Sequence, residues 1–250
     1  MMLITRRSSL AGLTAVTTLP SAAHATAPAA TPLSRMNLPW WAKRFEASQR
    51  ALAEGPRLLM LGDSITANYE KHGPAPWEDF APVWQRFYAP RGAVNLGFKG
   101  DTTASLLWRI QQARFAAARP HAAVMLIGAN NFGRVHWNAA DTAIGIDACI
   151  AALRARLRDI RVVLVGVLPS VRSAWVDAQT VAVNRLLAAR YGNAPDIAWI
   201  DAGHLFRRAD GSTDPSKFYD RNLTPPDPPL HPTPAMMAEL SALIVPKLPG

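Results

Sequence analysis

A single cysteine, Cys149, stands among 250 residues, so the chain can form no intramolecular disulfide and no metal site built from several thiolates. It falls on the apolar stripe Ile146, Ile150, Leu153, Leu157. That is the spacing of a helix face turned to a core, and it marks Cys149 as a packing residue rather than a reactive thiol. No histidines show the helical spacing of a zinc-binding pair, and no metal is expected. The chain also lacks a fixed-period repeat and a second compositional zone. Acidic residues are few: 18 against 27 Lys and Arg, a formal charge of +9. Such an excess suits either a solvated basic surface or an anionic partner such as an envelope polymer or a lipid head group. The arginines are dispersed and carry no nucleic-acid-binding motif, so nucleic acid is not an expected partner.

What is present starts with an export pattern. Thr5-Arg6-Arg7-Ser8-Ser9-Leu10 is followed by a mildly apolar stretch from Ala11 to Leu19 and then by Ala23-His24-Ala25, a small-x-small cleavage pattern. Residues 1–25 therefore read as a signal peptide of twin-arginine type, which places the mature protein in the periplasm or outside the cell. A lasting membrane anchor needs about 20 strongly apolar residues, and this stretch is shorter and diluted with Thr, Ser and Gly. Losing Arg6 and Arg7 lowers the charge from +9 to +7. Residues 26–34, rich in Ala, Pro and Thr, read as a spacer, and 35–250 as one globular domain.

Five apolar segments, 57–64, 93–98, 122–129, 161–168 and 196–201, alternate with helical patterns near 38–54, 76–89, 103–117, 139–158, 174–191 and 233–247. Near-continuous apolar strands with helices between them predict an α/β fold whose parallel sheet is buried on both faces. Asn138 with Asp141 three residues on resembles a helix-capping arrangement, and Gly192 is a helix stop.

In such a sheet ligands meet the carboxyl ends of the strands, so the residues after each strand belong together. Leu58-Leu59-Met60-Leu61 ends in Gly62-Asp63-Ser64, which delivers a hydroxyl to that edge and makes Ser64 the candidate nucleophile. The second strand runs into Gly97-Phe98-Lys99-Gly100-Asp101-Thr102-Thr103, and the third into Gly128-Ala129-Asn130-Asn131. The backbone N–H groups of Ser64 and Gly100 and the side-chain amide of Asn130 are the parts an oxyanion hole needs. Asp63 and Asp101 read as acceptors that fix the loops.

Taken together, Gly-Asp-Ser, Asn-Leu-Gly-x-x-Gly-Asp-Thr-Thr with Leu-Leu-Trp-Arg behind it, Gly-x-Asn-Asn and a late His-Pro resemble the GDSL/SGNH hydrolases. The stretch from Asn95 to Arg109 is most similar to the branch that includes the platelet-activating-factor acetylhydrolase catalytic subunits. The resemblance implies a flavodoxin-like, three-layer α/β/α sandwich on a five-stranded parallel sheet. It further implies serine ester hydrolysis without metal or organic cofactor, with Ser64 as nucleophile and Gly100 and Asn130 completing the oxyanion hole beside the Ser64 amide.

The base departs from the family pattern, which usually ends in Asp-x-x-His. Here the run is Thr224-Pro225-Pro226-Asp227-Pro228-Pro229-Leu230-His231-Pro232, with Asp227 four residues before His231 and Pro228 in the expected place. Prolines keep the chain extended, so a bulge could still bring the Asp227 carboxylate to the imidazole. The alternative is a Ser-His dyad whose ring is oriented by a backbone carbonyl. Asp201-Ala-Gly-His204 has the family spacing but follows the fifth strand directly, whereas His231 opens the last helix. The expected catalytic set is therefore Ser64, Asp227 and His231.

Lys99, Asn131 and Trp77 are the candidate substrate-binding side chains. Lys99 lies beside the oxyanion turn, where its ammonium could attract an acidic substrate or simply be solvated. Trp77 and Trp108 could line the acyl or leaving-group side or belong to the core. The expected activity is hydrolysis of short acyl esters, acetyl above all, on a small-molecule or polysaccharide substrate. The alternatives are an acyltransferase on the same serine, a lipid esterase or thioesterase, and a non-catalytic carbohydrate-binding protein.

Overall fold

Strand β1 (Leu58–Gly62) is apolar and buried along its whole length, which requires cover on both faces of whatever sheet holds it. The computed structural model, which describes residues 27–73, 78–115 and 119–249, supplies that cover. The segment read as a signal peptide and Trp77 lie outside the described residues. Strands β2 (Ala93–Gly97), β3 (Ala122–Leu126), β4 (Arg161–Val165) and β5 (Ile197–Ile200) join β1 in one parallel sheet of order β2-β1-β3-β4-β5. The chain leaves β1 toward β2 and returns past it to β3, so the direction of winding switches at β1. Its carboxyl end is where a crevice opens in sheets of this kind.

Alternate residues along each strand feed opposite cores. Leu59, Leu61, Ala123, Met125, Val162 and Leu164 pack on one side, against α1 (Pro39–Ala53) and three further helices. Leu58, Met60, Val124, Val163 and Val165 pack on the other, against α2 (Ser64–Ala67), α3 (Ala81–Phe87) and the last helix. The remaining helices are α4 (Thr103–Gln112), α5 (Ala129–Gly133), α6 (Ala139–Arg156), α7 (Ala174–Tyr191) and α8 (Pro234–Ile244). Helices α1, α4, α6 and α7 cover the first face and α8 the second. This is an α/β/α sandwich on a five-stranded parallel sheet: the alternation of segments predicts the parallel sheet buried on both faces, and the family resemblance implies the three layers.

Several boundaries follow from local chemistry. Asn138 caps α6 by accepting the Asp141 N–H at 2.8 Å, and Ser173 caps α7 by accepting from Val176 at 3.1 Å. Gly192 ends α7 with ordinary right-handed dihedrals, φ −57° and ψ −31°, so its freedom to turn left-handed is not used. Helices α2 and α5 start at once after β1 and β3, where the sequence reads as strand and turn. Cys149 is fully buried in the α6 face of the core, where burial pushes its thiol pKa up, opposed by the Arg109 charge.

The stretch read as a spacer is docked instead. Pro28–Ala30 forms a 3-10 turn with Ala29 buried. The Thr103 hydroxyl donates to the Ala29 carbonyl at 2.8 Å, and the Leu33 N–H donates to Ala104 at 3.0 Å. Gly145 on α6 makes room for this: a Cβ there would lie 2.5 Å from the Ala29 oxygen. Composition reported the small residues of this segment but not the small residue facing it.

Candidate active site

Ser64 opens α2 directly beyond β1, two residues from the strand end, and is 9% exposed. Asp63 caps the helix, its carboxylate accepting the Ile65 N–H at 2.9 Å. The helix is tied to the neighbouring strand by Asn95, which donates to the Thr66 carbonyl at 2.9 Å. Burial pushes the Asp63 carboxyl up to about 6, against the Ile65 N–H and the charges of His231 and Arg172, which favour its ionised form.

The serine hydroxyl meets an imidazole. His231 Nε2 lies 2.8 Å from Ser64 Oγ, and His231 Nδ1 lies 2.6 Å from Asp220 Oδ1. The second Asp220 oxygen accepts the backbone N–H of His231 and, at 2.7 Å, that of Leu230. Burial alone would raise the Asp220 pKa. The His231 hydrogen bond and charge and the two backbone N–H groups outweigh it and hold the carboxyl below its ordinary value. An ionised carboxylate can only accept, so Nδ1 carries the proton and Nε2 offers its lone pair to the Ser64 hydroxyl.

Asp220, rather than Asp227, therefore orients the imidazole, and neither a bulge at Asp227 nor a backbone-oriented dyad is needed. The chain doubles back between the two halves of this pair. Phe218 and Pro232 form an antiparallel bridge, Tyr219 N–H donates to the His231 carbonyl at 3.1 Å, and Thr233 N–H donates to Lys217 at 3.0 Å. That pairing sets Asp220 beside a histidine eleven residues later, while the exposed Asp227 lies on the connecting loop with its N–H on the Asp220 carbonyl at 3.3 Å. The signal that could have found Asp220 was the proline-rich run 225–229, which reads as the loop of a returning chain rather than as a spacer of fixed length. Tyr219 stacks on the imidazole, with ring centroids 5.8 Å apart. His204, the other candidate, is exposed on the turn Gly203–Phe206, and Asp201 accepts the Gly203 N–H at 2.9 Å.

The rim beyond the serine is held by buried polar bonds. Gly100 sits in a left-handed turn, φ +72°, a conformation that disfavours any residue with a Cβ. Asn130 on α5 donates to the Asp101 carbonyl at 3.0 Å and reaches the Asp63 carboxylate at 3.4 Å. Its amide thus lies between the Ser64 turn and the Gly100 turn. Asn131 does not join it. Its side chain is fully buried, accepts the Thr103 N–H at 3.0 Å and donates to the Thr103 hydroxyl at 2.8 Å. Consecutive helical residues point about 100° apart, so only one of the pair can face the rim. Asn131 is a packing and hydrogen-bonding residue, not a substrate contact.

Asp101 and Arg109 anchor the whole edge. Asp101 accepts from Arg35 and from Trp41 Nε1, each at 2.8 Å, and from Arg109 Nε at 2.8 Å. Arg109 donates in addition to the Leu96 carbonyl at 2.9 Å and to Gly62 at 3.0 Å, so one buried guanidinium joins the ends of β1 and β2. Trp108 is half-buried and packs on Trp41 and Phe45, and Lys99 is exposed beside the turn. Among the described residues no cluster of three or more His, Cys, Asp or Glu could hold a metal ion, and no helix is long and apolar enough to cross a membrane.

Comparison with known proteins identifies the family and the fold. The profile of the GDSL-like Lipase/Acylhydrolase family matches residues 60–238. The human platelet-activating factor acetylhydrolase IB subunit alpha1 is 27% identical over 166 residues, 66% of this chain and 67% of its own length. A GDSL-like lipase from Bacteroides thetaiotaomicron has a similar fold, with a TM-score of 0.58 at 20% identity over 81% of this chain and 94% of its own. A carbohydrate acetylesterase family member from Sinorhizobium meliloti gives a TM-score of 0.54 at 15% identity over 76% and 96%.

Proposed function

The chain belongs to the GDSL-like lipase/acylhydrolase family and is an ester hydrolase, and from that premise we propose that it is an exported serine esterase that removes short acyl groups, acetyl above all, from a carbohydrate or polysaccharide through an acyl-enzyme on Ser64. The observation that carries the mechanism is the unbroken chain Asp220–His231–Ser64, at 2.6 and 2.8 Å. In the first half-reaction Ser64 Oγ attacks the ester carbonyl carbon as its proton passes to His231 Nε2. The tetrahedral oxyanion rests among the Ser64 and Gly100 N–H groups and the Asn130 amide. It then collapses, expelling the alcohol, which takes the proton from His231. In the second, water attacks the acyl-enzyme, gives its proton to His231, and the acid leaves as the proton returns to Ser64. Asp220 keeps the ring in the tautomer both halves need and offsets the imidazolium charge.

The short acyl group and the sugar rest on the printed names of relatives, an acetylhydrolase subunit and a carbohydrate acetylesterase family member, together with the export pattern of residues 1–25. Hydrolysis of p-nitrophenyl acetate, butyrate and octanoate, with fluorophosphonate labelling, tests the reading. Acetate is expected to be favoured. Ser64→Ala should lose the label and about 10⁴-fold or more of the turnover. Wild-type turnover in Ser64→Ala would overturn the mechanism, and a preference for octanoate would overturn the short acyl group.

A further inference from the structure

Beside the triad lies a groove of about 340 Å³ whose wall includes Trp40, Arg44, Glu70, Lys71, Phe98 and Lys99. Two of its lining residues adjoin the catalytic rim. Lys99 immediately precedes Gly100, and the Lys71 ammonium lies 4.6 Å from the centroid of Tyr219, the ring stacked on His231, and also bonds its hydroxyl. The groove's own carboxylate, Glu70, is neutralised by a two-pronged contact from Arg44 at 2.6 and 3.0 Å. Lys99 makes no ion pair among the described residues. Burial, and then the Lys99 charge, lower the Lys71 pKa, with Asp220 pulling the other way. Two ammonium groups, those of Lys71 and Lys99, thus line one groove and give it a positive character. At the groove wall Trp40 is 46% exposed, with the Arg35 guanidinium 5.4 Å from its ring centroid. A half-exposed indole beside a catalytic groove offers a flat apolar face for the C–H side of a pyranose.

We propose that this groove receives the alcohol portion of the ester and that this portion is an acidic sugar, its ring on Trp40 and its carboxylate between Lys71 and Lys99. The proposal rests on the esterase reading and names the substrate class for it. The positive charge of the whole chain then has a local purpose, drawing a polyanionic glycan toward the serine.

The test compares the methyl glycosides of 3-O-acetyl glucuronic acid and 3-O-acetyl glucose, which differ at carbon six as carboxylate and hydroxymethyl. The kcat/KM ratio of acid to neutral ester is expected to exceed one by about fivefold in low salt, to shrink as salt is added, and to fall to about one in Lys99→Met. Trp40→Ala should raise KM for both esters. Calorimetry with Ser64→Ala, which cannot turn over, reads the groove separately: the glucuronide ester should bind more tightly than the glucoside, and Lys99→Met in that background should erase the difference. Hydrolysis without preference for the acid, or a preference untouched by Lys99→Met, overturns the groove and leaves the esterase standing. Carboxylate-dependent binding with neither ester cleaved costs the esterase reading and keeps the groove. Lys99-dependent binding to phosphatidylglycerol vesicles in place of the glucuronide would assign the groove to a lipid phosphate and overturn the sugar.

Discussion

On the serine side of the rim, Ser64, Gly100 and Asn130 each stand within a few residues of a strand end, and the turns that carry them are joined by buried bonds through Asp101, Arg109 and Asn130. On the histidine side, Asp220 and His231 stand on a doubled-back segment held by a single antiparallel bridge and a few backbone hydrogen bonds, with residues 224–228 of the intervening loop exposed. The two halves meet at the 2.8 Å hydrogen bond between Ser64 and His231, with Asn68 donating to the Tyr219 hydroxyl at 3.1 Å beside it. A sheet edge constrains its turns through the strands beneath them. A loop constrains its residues only through what it folds back upon, so its length in sequence says little about where a side chain arrives.

The largest effects should come from the loop side, where one carboxylate does the orienting. Asp220→Asn is expected to lower kcat about 10³- to 10⁴-fold through the wrong imidazole tautomer, while Asp227→Ala stays within about twofold of wild type. Steady-state rates on p-nitrophenyl acetate decide it, and the opposite order would return the orienting role to Asp227. On the strand side the dominant cost is in stability. Arg109→Met leaves the buried Asp101 without one of its two arginine partners and should cost about 3–5 kcal/mol in urea unfolding. The exposed pair Arg208–Asp214, at 3.4 Å, should give a far smaller loss when Arg208 becomes Ala. Equal losses would show the strand edge to be no more rigidly built than the loop.

A finer division runs within α5. Asn130→Ala should raise the barrier by about 3 kcal/mol, read as a fall in kcat, while Asn131→Ala should lower unfolding stability by about 1–3 kcal/mol and reduce kcat far less. Similar kinetic losses at both positions would contradict the assignment of only one to the rim.

A further effect distinguishes the two carboxylates by pH. Folding raises the Asp63 value from 3.8 to about 6, so the folded protein binds more protons than the unfolded chain across that window. The contribution of Asp63 is fully present below the unfolded value and is lost as pH rises through about 6. Asp220 works in the opposite sense. Its folded value is lowered, so its contribution is present above the unfolded carboxylate value and is lost as pH falls through the folded one. Urea unfolding of wild type and Asp63→Asn across pH 4 to 7.5 should show the wild type losing about 2–3 kcal/mol relative to the variant as pH rises. A constant difference would mean that Asp63 ionises as freely in the fold as in the open chain.

The sequence by itself determined the sheet, the order of its helices and the serine edge. An apolar run such as Leu58–Leu61 cannot be left in water, and the residues next to its end must then lie on the rim. The same logic reached Gly100 and Asn130, because each follows a strand closely. Only the tertiary structure separated Asn130 from Asn131, docked Pro28–Ala30 onto α6, and chose Asp220 over Asp227. Those outcomes depend on which groups meet across the fold. The Asp220 carboxylate is placed by a chain reversal whose bonds join residues 217–220 to 231–233, and such a reversal has no period or spacing for a linear reading to detect.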